Sequence, residues 1–176
     1  AARLAKLEAQ RQRNADASAE REREANAFRE REREKARGIV DKAVPLLDMP
    51  VRAGLSGCEG DVYLRERGCG AVRDRWLRFS AEATYWHGQD ERGAPLPFHV
   101  GPALIAPFVR FGPALEVEIV GCHITWIDLA EPPKFRPLLR DPATGVRLPT
   151  KKMRGTKKGG VIPLVGSPSA RRWLGA

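Results

Sequence analysis

Cysteine is scarce in this sequence, and its thiols are too few and too far apart for the usual cysteine-based sites. The chain has 3 cysteines, an odd number that argues against a disulfide framework. A structural zinc site uses four ligands, commonly in close pairs such as C-x2-C, but Cys58 and Cys69 are well separated. Cys122 directly precedes His123, and neighbouring side chains of a strand point to opposite faces. We therefore predict reduced thiols and no metal site.

Long apolar runs are absent too. No segment approaches the roughly 20 apolar residues that are needed to cross a bilayer. The N-terminus also lacks the apolar central region of a secretory signal. We expect no membrane association, and a soluble protein that is intracellular or packaged in a particle.

Motifs for catalysis and for cofactor binding are missing as well. The sequence has no P-loop, no G-x-G-x-x-G after a strand and no H-E-x-x-H. A Cys–His nucleophile pair would have to use His87, His99 or His123, and no local signature supports any pairing. We predict no enzymatic activity and no cofactor. A metal-dependent nuclease is the weakest alternative, and it would use carboxylates of the middle segment: Glu59, Asp61, Glu116, Glu118 and Asp128.

Glycine and proline are absent from residues 3–37, which are rich in Ala, Arg and Glu. Helix propensity summed over such a window predicts one long helix, with Gly38 as its end. Leu4, Leu7, Ala25 and Phe28 fit the a and d positions of one heptad frame, but polar residues fill the seam between them, so this is no self-sufficient coiled coil. The helix is either a solvated charged helix or an arm that binds a neighbouring subunit or nucleic acid. In the second case Leu4, Leu7 and Phe28 contact the partner.

Residues 38–133 are the only segment with enough aromatic and aliphatic residues for a core. "LEVEIVGCHITWIDL" alternates as a strand does, and Gly121 at the change of phase predicts a β-bulge. "LRFSAEATYW" fits both a strand and a helix, and its aromatic content favours a strand. "DVYLRE" and "LIAPFVRF" are shorter strand candidates, and prolines place the second near an edge or a bulge. A small antiparallel barrel or sandwich would close this body.

Acidic residues are almost absent from the last segment. Residues 134–176 hold eleven Lys or Arg and one acid, although the net charge of the whole chain is only +9. With frequent prolines and glycines, this segment is typical of an extended basic tail. We predict no regular secondary structure for Thr150–Gly160, "TKKMRGTKKGG". Its cations would contact nucleic-acid phosphates without sequence preference; these are Lys151, Lys152, Arg154, Lys157 and Lys158.

Base-stacking aromatics are absent from residues 150–160, and the nearest is Trp173. The tail therefore favours contact with the nucleic-acid backbone, although an acidic protein surface is a possible target. Two apolar clusters, "VIPLV" and "RRWLGA", lie farther along the chain. We interpret Val161, Trp173 and Leu174 as anchors for pockets of a partner protein.

Together these features predict an α+β protein with three parts. They are a charged helical arm (residues 1–37), a compact β-rich domain (38–133) and an extended basic tail (134–176). The predicted function is that of a non-enzymatic structural or assembly component of a large nucleoprotein particle, either a viral structural protein or an accessory ribosomal protein. The alternative is a free-standing nucleic-acid-binding module without sequence specificity. The expected partners are other protein subunits and, through the tail, nucleic acid.

Overall fold

The computed structural model describes residues 2–52, 55–56, 58–69, 75–114 and 116–164. These described residues form two α-helices, one short 3-10 helix and seven strands. The helices are α1 (Ala2–Lys42), the 3-10 helix (Leu46–Asp48) and α2 (Glu59–Glu66). The strands are β1 (Val44–Pro45), β2 (Val51–Arg52), β3 (Leu55–Ser56), β4 (Arg78–Gln89), β5 (Pro95–Phe111), β6 (Val117–Trp126) and β7 (Lys151–Gly155).

One antiparallel sheet of five strands organises the fold, in the order β1-β4-β5-β6-β7. Strands β4, β5 and β6 follow one another as hairpins, and β7 joins the outer side of β6 after a long connection. Strands β2 and β3 form a separate pair. The chain is thus an α+β protein with one long N-terminal helix. The predicted barrel or sandwich is not confirmed, because the described strands of the main sheet leave β1 and β7 as its two edges.

The end of α1 covers one face of the sheet. Ala36 and Val40, which lie four residues apart, are almost fully buried against Tyr85, Ile105 and Trp126. Residues with this spacing share one side of a helix, so only a narrow apolar stripe is buried. All described side chains from residue 3 to residue 31 are exposed. The C-terminal end of helix α1 therefore belongs to the core, and the rest of the helix projects from the body.

Two ion pairs also join α1 to the sheet. Arg33 lies 3.6 Å from Glu118 of β6, and Glu32 lies 3.3 Å from Arg154 of β7. Both pairs flank the buried stripe. Their α1 residues precede Ala36 by three and four positions, so the pairs lie where the exposed part of α1 meets the sheet.

The opposite face of the sheet is covered by α2 and the 3-10 helix. Leu46, Tyr63 and Leu64 pack there in a cluster with Phe79 and Leu104. The approach is close, because a Cβ atom at Gly60 of α2 would lie 3.0 Å from a ring carbon of Phe79. The sheet therefore has an apolar layer on each side.

Two strand predictions are confirmed. "LRFSAEATYW" lies within β4 and the adjoining residue Leu77. In β6, Cys122, Ile124 and Trp126 belong to the core on the α1 side. The β-bulge is also present: Phe108 pairs with Gly121 and Val109 pairs with Ile119, which leaves Val120 as the extra residue.

Two predictions are wrong, one about the type of a secondary-structure element and one about the end of a helix. "DVYLRE" is the greater part of helix α2 and not a strand; its turn buries Asp61, Tyr63 and Leu64 together on one side, as helical periodicity does. Helix α1 does not end at Gly38 but continues to Lys42. Packing of Val40 in the core offsets the roughly 1 kcal/mol by which glycine disfavours a helix.

The prolines of β5 predicted a position near a sheet edge or a β-bulge, and the structure shows the bulge. Strand β5 lies in the middle of the sheet, between β4 and β6. Pro107 pairs with Cys122, and the register shifts directly after Phe108. A central strand can thus contain a proline where its ladder is already irregular.

The prediction that Thr150–Gly160 has no regular secondary structure is wrong for β7, which pairs with β6 along its length. The pairing depends on two glycines that face each other, Gly121 and Gly155. A Cβ atom at Gly121 would lie 2.7 Å from the carbonyl oxygen of Arg154, and Gly155 has a φ of 74°. The backbones therefore approach more closely here than other residues allow.

Candidate nucleic-acid interface

Four cationic side chains converge on one groove beside β7. The groove has a volume of about 450 Å³. Its described lining contains no carboxylate, and consists of Lys134, Arg136, Arg147, Leu148, Pro149, Thr150 and Lys151. A concave surface lined by charges of one sign concentrates the potential and attracts counter-ions. We call this surface the basic groove.

Backbone hydrogen bonds hold the walls of the basic groove in place. In the segment between β6 and β7, the N–H of Asp128 donates to the carbonyl oxygen of Phe135 at 3.0 Å, and that of Leu148 donates to Leu139 at 2.9 Å. The N–H of Trp126 donates to the carbonyl oxygen of Thr150 at 3.0 Å, directly before β7 begins. The groove cations therefore project from an ordered backbone, although much of it is neither helix nor strand.

Acids in the described part of the chain do not neutralise the four groove cations. Within the described residues, none of them lies in an ion pair of 4.0 Å or less. The guanidinium of Arg136 instead donates to the hydroxyl of Tyr63 at 3.3 Å, which orients it without neutralising it. The groove thus keeps its positive charge.

His123 reports the electrostatic environment of this region. Its pKa is lowered first by burial, and further by the positive charges of Lys151 and Arg136. A cation disfavours a second positive charge nearby. The same charges favour an anion, so the local potential suits phosphate.

Three of the groove cations were not among the predicted contacts. Lys134, Arg136 and Arg147 precede the opening lysines of β7, in a segment that was interpreted as part of a tail. The sequence signal that covers these three residues is the excess of Lys and Arg from residue 134 onward. Their convergence depends on the path of residues 127–150, which no local pattern reveals.

The structure separates the five predicted nucleic-acid contacts. Lys151 lines the basic groove. Lys152 lies on the other face of the sheet, where its Nζ is 3.6 Å from the centroid of the Tyr85 ring and burial lowers its pKa. Arg154, on that same face, pairs with Glu32.

The last two predicted cations lie beyond β7. Lys157 and Lys158 are exposed in a turn. The backbone N–H of Lys158 donates to the hydroxyl of Thr156 at 3.1 Å, and its carbonyl oxygen accepts from Arg110 at 3.3 Å. The five cations therefore belong to three different surfaces.

The predicted partner contacts are exposed where the structure describes them. Leu7 is 50% and Phe28 58% exposed on α1, and Val161 is 54% exposed. The backbone of Val161 nevertheless pairs with Val109 of its own chain. The side chain of Leu4 lies outside the described residues, as do Trp173 and Leu174.

The cysteines and carboxylates form no metal centre in the described residues. Cys58, Cys69 and Cys122 are free thiols, and burial raises the pKa of Cys122 to about 12. In the described parts of the chain, no three or more His, Cys, Asp or Glu side chains are grouped so that they could hold a metal ion. Glu118, one of the nuclease candidates, pairs instead with Arg33 and Arg110, each at 3.6 Å.

Of the helices in the described residues, none combines the length and apolar character that a bilayer span needs.

Residues 30–164 match the model of a protein family described as "Domain of unknown function (DUF7146)". The match covers most of the chain, so the chain belongs to this family. It begins where α1 reaches the sheet and ends at the last described residue, and it includes all four groove cations. No curated protein and no solved structure matches the chain significantly.

Proposed function

We propose that this member of the DUF7146 family binds the phosphate backbone of nucleic acid through the basic groove, as a non-enzymatic component of a nucleoprotein assembly. The proposal rests on one observation. Four cations line a single groove whose described lining has no carboxylate. Side chains that served only solubility would not need to converge.

The expected binding is electrostatic and has no sequence preference. Lys and Arg that neutralise phosphates release condensed counter-ions, and this release supplies most of the affinity of non-specific complexes. Arg136 and Arg147 offer planar guanidinium groups, which bind phosphate oxygens in a bidentate manner. The basic groove itself contains no aromatic side chain among its described lining residues, so it contacts the backbone and does not stack on bases.

The assembly part of the proposal is supported by helix α1. The part whose described side chains are all exposed, residues 3–31, is about 44 Å long at 1.5 Å per residue. Leu7 and Phe28 are three heptads apart and therefore lie on the same side of the helix. Both are about half exposed or more. They suit a contact with a neighbouring subunit, as in the structural proteins of viral or ribosomal particles.

A free-standing nucleic-acid-binding module is the second candidate. It is favoured by the position of the groove cations, because all four are held by the chain's own fold and need no neighbour to order them. The two candidates differ in the role of α1. A free-standing module binds equally well without residues 2–29, whereas an assembly component loses its incorporation into the particle.

A salt titration of the intact chain tests nucleic-acid binding. The affinity for a fluorescent single-stranded oligonucleotide and for a duplex is measured by anisotropy over a range of salt concentrations. Four groove cations would contribute slopes of log affinity against log salt of about −2.8 for the single strand and −3.6 for the duplex. Absence of salt-dependent binding to either would overturn the proposal. Salt-dependent binding to a polyglutamate peptide alone would identify an acidic protein surface as the partner.

A further inference from the structure

A second concave site lies on the opposite face of the sheet from the basic groove, between the end of α1 and the start of β7. Its volume is about 280 Å³. Its lining includes apolar residues of α1 and of the sheet: Ile39, Trp86, Ile105, Ile124 and Trp126. Small-ligand pockets typically have about 300–1,000 Å³, so this site suits one small planar group and not a large ligand.

Trp86 is the feature of this site that most needs an explanation. It is 42% exposed, although its neighbour Tyr85 is fully buried in the core. Large aromatic side chains on a sheet beside an apolar pocket normally complete the core. An exposed tryptophan in the lining of a pocket offers an aromatic surface on which another planar ring can stack.

The sheet brings Trp86 next to the basic strand β7. The Nζ of Lys152 donates a hydrogen bond to the carbonyl oxygen of Trp86, and lies over the ring of Tyr85. In sequence, no aromatic residue accompanies the lysines of residues 150–160. In the fold, the exposed Trp86 of β4 lies next to Lys152.

The rim of the pocket carries three cations and one acid. The cations in the lining are Lys42, Lys152 and Arg154, and the acid is Glu82; of these cations, Arg154 is the one that also pairs with Glu32. Lys151, the residue before Lys152, lines the basic groove on the other face. Since β7 is an edge strand, a polyanion that crosses this edge meets Lys151 on one side and Lys152 on the other. The two sites can thus hold successive parts of one strand.

We propose that this pocket receives one unpaired base of a single-stranded nucleic acid, stacked on Trp86, with the adjoining phosphates held by Lys42, Lys152 and Arg154. This inference rests on the proposed function and adds a preference for single strands. A base within a duplex is already stacked on its neighbours and cannot enter. Stacking accepts any of the bases, because each has an aromatic face. Ser80, Glu82 and Thr84 in the lining supply hydrogen-bonding groups for the edge of the base.

The experiment compares two oligonucleotides of equal length, oligo-thymidylate and an abasic strand that has the same sugar–phosphate chain. The intact protein is expected to bind oligo-thymidylate more tightly. Trp86→Ala should reduce that affinity by about 5- to 150-fold, the range for loss of one stacking side chain, and leave the abasic affinity unchanged. Trp86→Phe should restore most of the loss. Phe111→Ala is the matched control, because Phe111 is 41% exposed and lies outside the pocket.

Each outcome decides between the pocket and the groove. Equal binding of both strands by the intact protein, or an unchanged affinity of Trp86→Ala for oligo-thymidylate, overturns the base pocket and leaves the groove proposal intact. Binding of neither strand at low salt overturns both. A loss by Trp86→Ala that affects the abasic strand equally does not depend on a base, and it overturns the pocket.

Discussion

His87 and Asp141 are joined across 54 residues of sequence, with His87 Nε2 and Asp141 Oδ2 2.6 Å apart. Asp141 also accepts the backbone N–H groups of Ala143 and Thr144 at 2.8 and 2.9 Å. It therefore closes the turn between Arg140 and Arg147 and fixes that turn to β4. Since Arg147 lines the basic groove, this one carboxylate connects the rigid sheet to a wall of the groove.

The pair predicts a specific acid response. The pKa of Asp141 falls from an ordinary 3.8 to about 2, chiefly through the hydrogen bond from His87 and then through the backbone N–H groups of Thr144 and Ala143. A carboxyl group whose pKa is lower in the folded state stabilises the fold above its ordinary pKa. That contribution is lost as the pH falls through the folded-state pKa. We expect the contribution of Asp141 to be complete above pH 3.8 and lost near pH 2.

His87→Ala tests this response. An NMR titration of the Asp141 carboxyl should give a pKa near 2 in the intact chain and a value closer to 3.8 in the variant. Glu32 is an internal control, because its lowered pKa depends mainly on a hydrogen bond from Lys35 and should not change. An Asp141 titration that is the same in both proteins would contradict the assigned cause.

The close approach of β6 and β7 predicts a large effect of one methyl group. Gly121→Ala would place a Cβ atom within 2.8 Å of the backbone nitrogen of Thr156, so the strands must separate. We expect the free energy of unfolding, measured by urea denaturation, to fall by about 1–3 kcal/mol. Nucleic-acid binding should weaken in parallel, because Lys151 and Lys152 are carried by β7.

Gly38→Ala is the matched control for that substitution. Gly38 lies in the exposed side of α1, and a Cβ atom there would meet nothing within 4 Å. This change should stabilise the chain by up to about 1 kcal/mol, the difference in helix propensity between the two residues. If both variants shift stability in the same direction, the proposed role of the β6–β7 contact is incorrect.

The two parts of α1 should respond differently to change. Because the described side chains from residue 3 to residue 31 are exposed, removal of residues 2–29 should alter the free energy of unfolding by no more than about 0.5 kcal/mol. Val40 is only 1% exposed. Val40→Asp would bury an unpaired charge and should cost more than about 2 kcal/mol. Thermal denaturation of both variants checks this, and a large loss from the deletion would show that the exposed part of α1 supports the fold.

Local sequence was enough to predict the long helix and the two strands β4 and β6. Helix propensity predicted the helix, alternation predicted β6, and aromatic content favoured a strand for β4, whose periodicity also fits a helix. Alternation in β6 placed Cys122, Ile124 and Trp126 on one face, and the glycine at the phase change marked the bulge. These features are properties of neighbouring residues, and the sequence displays them directly.

Features that depend on tertiary contacts were not predicted. Helix α2 is only eight residues long, and so short a segment carries little periodic signal. Strand β7 consists largely of cations and owes its conformation to pairing with β6 and to the contact between Gly121 and Gly155. For the candidate site, the charge asymmetry located the correct segment of the chain, residues 134–176. It could not show that Lys134, Arg136, Arg147 and Lys151 meet in one groove, or that Trp86 lies beside Lys152.

The most direct test of the basic groove compares two triple variants with the same change in net charge. One carries Lys134→Gln, Arg147→Gln and Lys151→Gln, and the other carries Lys6→Gln, Arg11→Gln and Arg23→Gln on exposed positions of α1. The measurement is the slope of log affinity against log salt for a single-stranded oligonucleotide. We predict that the groove variant loses about 2.1 of the slope, or 0.7 for each phosphate contact, and that the α1 variant keeps the slope of the intact chain. Equal losses in the two variants, or no loss in the groove variant, would contradict binding at this groove.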